Sequence, residues 1–87
     1  VSDVYVVMGQ TGEYSDRTEW VVVAYSNEAD AQKHVENATR RAKELEVTKP
    51  RNWEALEAHL ASNEFDPAMQ LDYTGTRYYY MAVELRS

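Results

Sequence analysis

The sequence predicts a single α+β domain: a three-stranded antiparallel or mixed sheet in the order β-β-α-α-β, with its helices packed mainly on one face. Three observations carry this expectation. Short β-branched and aromatic runs, VYVVM at 4–8, WVVVAY at 20–25 and YYYMAVEL at 78–85, read as strands. Between the second and third runs lies a long stretch whose apolar residues recur at helical spacing. The chain has 87 residues and no cysteine, so it makes one core that no disulfide or thiolate metal site supports.

The first two strands are joined by GQTGEYSDRT, residues 9–18. Hairpin loops usually hold about two to five residues, so a long arm with its own strand extensions is expected here. Long loops on a rigid scaffold often carry binding, which makes Glu13, Tyr14, Asp16 and Arg17 candidate contact residues. Ser26 or Asn27 can cap the next segment through a side-chain oxygen. Ala31, Val35, Ala38, Ala42 and Leu45 then alternate steps of four and three, one apolar stripe along a long helix. Most of that stripe is alanine, so the helix can lie close to a sheet with large side chains. Arg40, Arg41 and Lys43 are expected near its end, complementing the helix dipole, with Arg40 four residues before Glu44.

VTKPRN interrupts the helix at Pro50. Asn52 can cap a shorter helix, WEALEAHLASNE, with Trp53, Leu56 and Leu60 on one side. In the connection FDPAMQLDYTGT, Phe65, Met69 and Leu71 are expected against the core. A crossover from the second strand to the third places the first strand centrally, with the last beside it.

Net charge is −6, unevenly spread. Residues 52–76 hold Glu54, Glu57, Glu64, Asp66 and Asp72 without a single Lys or Arg. This balance argues against nonspecific binding to a phosphate backbone, which needs a basic surface. It suits a basic protein surface instead, met by those five acids in the manner of a nucleic-acid mimic. No apolar run reaches the roughly 18 residues of a membrane span, so no membrane partner is expected. The opening VSDVYVVMGQ lacks a basic n-region and a small-residue cleavage site, which makes the cytoplasm the expected setting.

Catalytic chemistry finds little to stand on. His34 follows Asp30 by four residues, a helical pair, and His59 follows Glu57 too closely to share its face. No HExxH spacing is present, and GQTG lacks the Lys and glycine spacing of a phosphate-cradling loop. Ser15 and Asp16 have no histidine nearby in sequence to complete a triad. Neither catalysis nor a cofactor or metal is expected.

The strands pose a sharper question. A sheet wetted on one side alternates apolar with polar residues. Here Tyr79, Met81, Val83 and Leu85 read as the core row of the last strand, yet the opposite row starts with Tyr78 and Tyr80. In the second strand, Trp20, Val22 and Ala24 oppose Val21, Val23 and Tyr25. Neither side is polar enough to be the wet one. The second face calls for a cover: the Trp53 helix, a second copy packed sheet to sheet, or a foreign protein. Tyr5, Tyr78 and Tyr80 are the candidate contacts on it, since tyrosine joins apolar area to a polar tip.

In residues 4–35 a strand leads into EYSD, a second strand ends in an aromatic, and a helix opens on an acid-Ala pattern. Through Glu13, Tyr14, Ser15, Asp16, Tyr25 and Ala31 this stretch resembles small phage-encoded proteins of unknown function. The resemblance implies a phage-type accessory protein in a host cytoplasm. Together these readings give an interaction module that binds, and inhibits, a host factor in a defence or nucleic-acid-handling complex. A homodimeric structural protein joined through Tyr78 and Tyr80 is the alternative, and a small enzyme or metal-binding protein a second and weaker one.

Overall fold

The computed structural model of the chain describes residues 2–12, 17–71 and 75–85. Its elements run β1 (Ser2–Thr11), β2 (Thr18–Tyr25), α1 (Glu28–Val47), α2 (Trp53–Ala61) and β3 (Thr76–Leu85). The three strands form one antiparallel sheet in the order β2-β1-β3. The fold is therefore α+β with β1 central and β3 beside it. The hairpin arm is long because both strands continue into the polar linker, until Thr11 pairs with Thr18. Glu13, Tyr14 and Asp16 lie outside the described residues.

Both helices start where a short amide side chain can accept orphan backbone donors. Asn27 Oδ1 accepts from the amides of Ala29 (2.8 Å) and Asp30 (3.4 Å), and Asn52 Oδ1 from that of Glu54 (2.9 Å). The far end of α1 is closed from two sides. Thr48 donates its hydroxyl to the Glu44 carbonyl at 2.8 Å, and His59 of α2 lies 2.8 Å from the Leu45 carbonyl. A carbonyl only accepts, so the His59 proton sits on Nε2. The last turn of α1 holds no basic residue. Arg40, Arg41 and Lys43 fall before it, because the helix runs on to Val47. Arg41 rather than Arg40 meets Glu44, at 3.1 Å, and its Nε stands 3.7 Å from Glu64.

The alanine stripe performs as its spacing predicts. Ala31, Ala38, Ala42 and Leu45 are buried. Ala38, Ala42 and Leu45 join Leu60, Met69 and Tyr78 in one core cluster, with Val22, Val35, Leu56, Phe65 and Leu71 packed around it. α1 touches all three strands, whereas α2 meets α1 and, among the described residues, approaches no strand. Trp53 does not join the core and remains 70% exposed.

Beneath the core lies a polar knot. Asp66, buried in the α2–β3 connection, accepts on one oxygen from the Trp20 indole at 2.8 Å and the Tyr78 hydroxyl at 2.7 Å. Its other oxygen accepts from the Ala68 amide at 3.3 Å. Asn63, also buried, accepts from the Phe65 amide at 2.9 Å and points its amide nitrogen at the Met69 sulfur, 3.5 Å away. Asp66 was expected on an acidic surface; burial with three donors removes it from that set.

The knot corrects the faces of β3. Tyr78, expected opposite the core row, is 8% exposed and belongs to the core, while Met81, Val83 and Leu85 of the expected core row are exposed, as are Ala82 and Glu84 at the same end of the strand. Both rows of this strand are apolar, so alternation alone cannot choose between them. The acceptor at Asp66 chooses, because a phenol is buried readily only where its hydroxyl finds a partner. Burial, first, and then Asp66 push the Tyr78 phenol upward, so it remains a donor throughout the ordinary pH range.

β2 needs a second correction. Tyr25 pairs with Tyr5 and Val23 with Val7, but Met8 pairs with Val21 and Gly9 with Trp20, so a bulge falls at Val22. Trp20 and Tyr25 are an odd number apart and would otherwise lie on opposite faces. The extra residue brings both to the helix side, where Tyr25 bonds His34 and Trp20 bonds Asp66. Gly9 makes room for that indole: a Cβ there would lie 2.4 Å from the Trp20 ring.

Two predictions follow from this packing. Gly9→Ala forces the indole off its site and should lower unfolding stability by about 1–3 kcal/mol, read from urea titration. Asp66→Leu strands two buried donors and should cost about 2–4 kcal/mol by the same assay, against about 1 kcal/mol for Tyr78→Phe.

Candidate functional site

The pleat and register divide the sheet cleanly. Tyr5, Val7 and Gly9 of β1 lie on the helix side with their partners Ala82, Tyr80 and Tyr78. Tyr5 and Tyr80 meet edge to face there, ring centres 6.4 Å apart. The three tyrosines expected to form an outer contact face thus share the side on which α1 packs, and Tyr78 is inside the core.

The other side is the candidate. Val4, Val6 and Met8 of β1 pair with Val83, Met81 and Tyr79 of β3, and Val6 and Met8 pair with Ala24 and Val21 of β2. Val21 is 66% exposed, Leu85 56%, Met81 42% and Val83 40%. The apolar positions of three strands therefore line up as one band, exposed on β2 and β3 and half-buried along β1 between them. Contiguity matters more than the individual values, since scattered exposed aliphatics are ordinary.

One end of the band is polar and ordered. Glu19 accepts from Arg17 at 2.9 Å, from Gln10 at 3.1 Å and from Tyr79 at 2.9 Å. Arg77 reaches Gln10 and donates to the Gly12 carbonyl at 2.7 Å. The Arg17 hydrogen bond, then that from Tyr79, hold the Glu19 carboxyl below its ordinary range. Desolvation, then Glu19, raise the Tyr79 phenol. Arg17, the one described residue of the candidate hairpin-loop contacts, is the ion-pair partner of Glu19.

The acidic set loses Asp66 from the surface. Glu54 and Glu57 are exposed on α2, Glu64 lies beside Arg41, Asp66 is buried, and Asp72 falls outside the described residues. The histidines hold structure together. His34 lies 2.9 Å from the Tyr25 hydroxyl and 2.7 Å from the Phe65 carbonyl, so it joins β2 to the α2–β3 connection rather than pairing with Asp30. Among the described residues, no three His, Asp or Glu side chains converge as a metal site. Among the same residues, no helix is long and apolar enough to cross a membrane.

A hollow of about 440 Å³ lies between α2 and the segment after it, lined by Trp53, Leu56, Leu60, Met69 and Leu71 with Glu57 at its margin. Its wall is mainly apolar, with Glu57 and Gln70 as the polar side chains. No protein-family model, curated protein or solved structure matches the chain.

The polar end has a testable signature. The Glu19 carboxyl carbon, followed by NMR, should titrate below the ordinary glutamate value and move up towards it in Tyr79→Phe and further in Arg17→Ala. A depressed carboxyl contributes stability that is fully present above the unfolded-state value of about 4.5 and is lost as pH falls through the folded value.

Proposed function

We propose that this chain is a non-catalytic protein-interaction module whose working surface is the open face of the sheet. The exposed band formed by Val21, Met81, Val83 and Leu85 supports this reading. In water such a band carries a free-energy cost that a protein surface laid over it removes. The helices serve the other face: α1 lies over the row containing Tyr78, and α2 stands on α1 rather than crossing to the open side.

This reading moves the contact away from the tyrosine row and the dispersed acids. Binding is then led by apolar area and depends only weakly on salt, unlike a nucleic-acid mimic steered by charge. The resemblance of residues 4–35 to small phage-encoded proteins makes a host factor one class of partner, met in a cytoplasm. The chain itself is the other.

A photo-crosslinking residue in place of Met81 tests the reading when the chain is mixed with bacterial lysate. Protein adducts should form from position 81 and be sparse from the same probe at Glu57 on α2. Equal yields at both positions, or none at 81, would remove the open face as the working surface.

A further inference from the structure

Resting on that reading, we infer that the occupant of the open face is a second copy of this chain, packed sheet to sheet about a two-fold axis. The result is a four-layer particle with the helices outside and the two open faces pressed together.

Width is the first argument. Three strands about 4.8 Å apart give a band about 14 Å across. An identical sheet matches it from edge to edge. The rows Val4, Val6, Met8 and Met81, Val83, Leu85 stand at the two-residue repeat with which facing sheets interdigitate about 10 Å apart.

Area is the second. The open-face pairs run from Ser2–Leu85 to Met8–Tyr79, or roughly 23 Å along the strands, so each face projects on the order of 300 Å² before side-chain relief. Two such faces bury about 600–800 Å² in total, below a standard specific interface and in keeping with a weak, reversible dimer. Dissociation in the micromolar range is the expectation for so small an area.

Charge is the third. The chain carries net −6, which opposes self-association in general, but no charged residue stands in the apolar rows. The charges on this face sit at one end, where Arg17, Glu19 and Arg77 supply both signs. Two copies therefore bring no like charges together at the centre, and a two-fold across the strands leaves both polar ends at the rim.

Sedimentation equilibrium of the full chain from about 1 to 200 μM, where interfaces of this size dissociate, is the test. The mass should rise from that of the 10.1 kDa chain towards twice that value. Met81→Glu places a carboxylate at the centre of the band, on a side chain already exposed in the monomer, and should keep the mass at one chain with unchanged circular dichroism. Val83→Lys is the second variant, and Glu57→Lys on α2 the control that still dimerises. Wild type that stays monomeric to the highest concentration overturns the second copy; if position 81 still crosslinks a foreign protein, the interaction reading survives without it. A dimer that persists in both Met81→Glu and Val83→Lys overturns this interface. The self-adduct of the position-81 probe, twice the chain mass, must then also be missing.

Discussion

The Asp66 carboxylate decides how the rest of the molecule is arranged. It is buried in a loop, where an acceptor without donors is costly, and it finds three: the indole of β2, the phenol of β3 and an amide of its own turn. These contacts tie the two outer strands of the sheet to the connection after α2, across the central strand. They also select which row of β3 turns inward. Once Tyr78 is committed to the helix side, pleating sends Tyr79, Met81, Val83 and Leu85 to the other. The open face follows from a hydrogen bond on the closed one.

Chain length explains why that face has no internal cover. A domain of this size buries a smaller share of its surface than a larger one, and here a single long helix supplies nearly the whole second layer. α1 reaches all three strands because alanines at its contact positions keep it close. The remaining helix is nine residues long and is used to close the end of α1 through His59. Among the described residues, no further segment is of helical length.

Much of this was legible in the sequence, for definable reasons. Strand composition, the four-and-three spacing of Ala31 to Leu45, the caps at Asn27 and Asn52 and the break at Pro50 are local signals, and each element stands where its signal lies. The choice of face was not legible, because β3 is apolar in both rows and β2 hides an extra residue at Val22. Asp66 looked like a surface charge because its partners are 46 and 12 residues away. The signal that pointed to it was the run NEFDPAM, in which Asn63 and Asp66 are both short polar residues able to bond their own backbone two positions on. Such a run marks an ordered turn. It cannot say which distant donors will come to it. The histidines were harder still, since His34 and His59 serve carbonyls on other elements.

The bulge at Val22 also bears on how this chain tolerates insertions and deletions. Loss of one residue from VVV would remove the bulge and leave Trp20 four positions from Tyr25, so a regular strand would still set the indole opposite Gly9 and on the helix side. Loss of two would leave them three apart, an odd number, and carry the indole to the open face while Tyr25 kept its place against His34. The middle of β2 therefore has one residue to spare and no more.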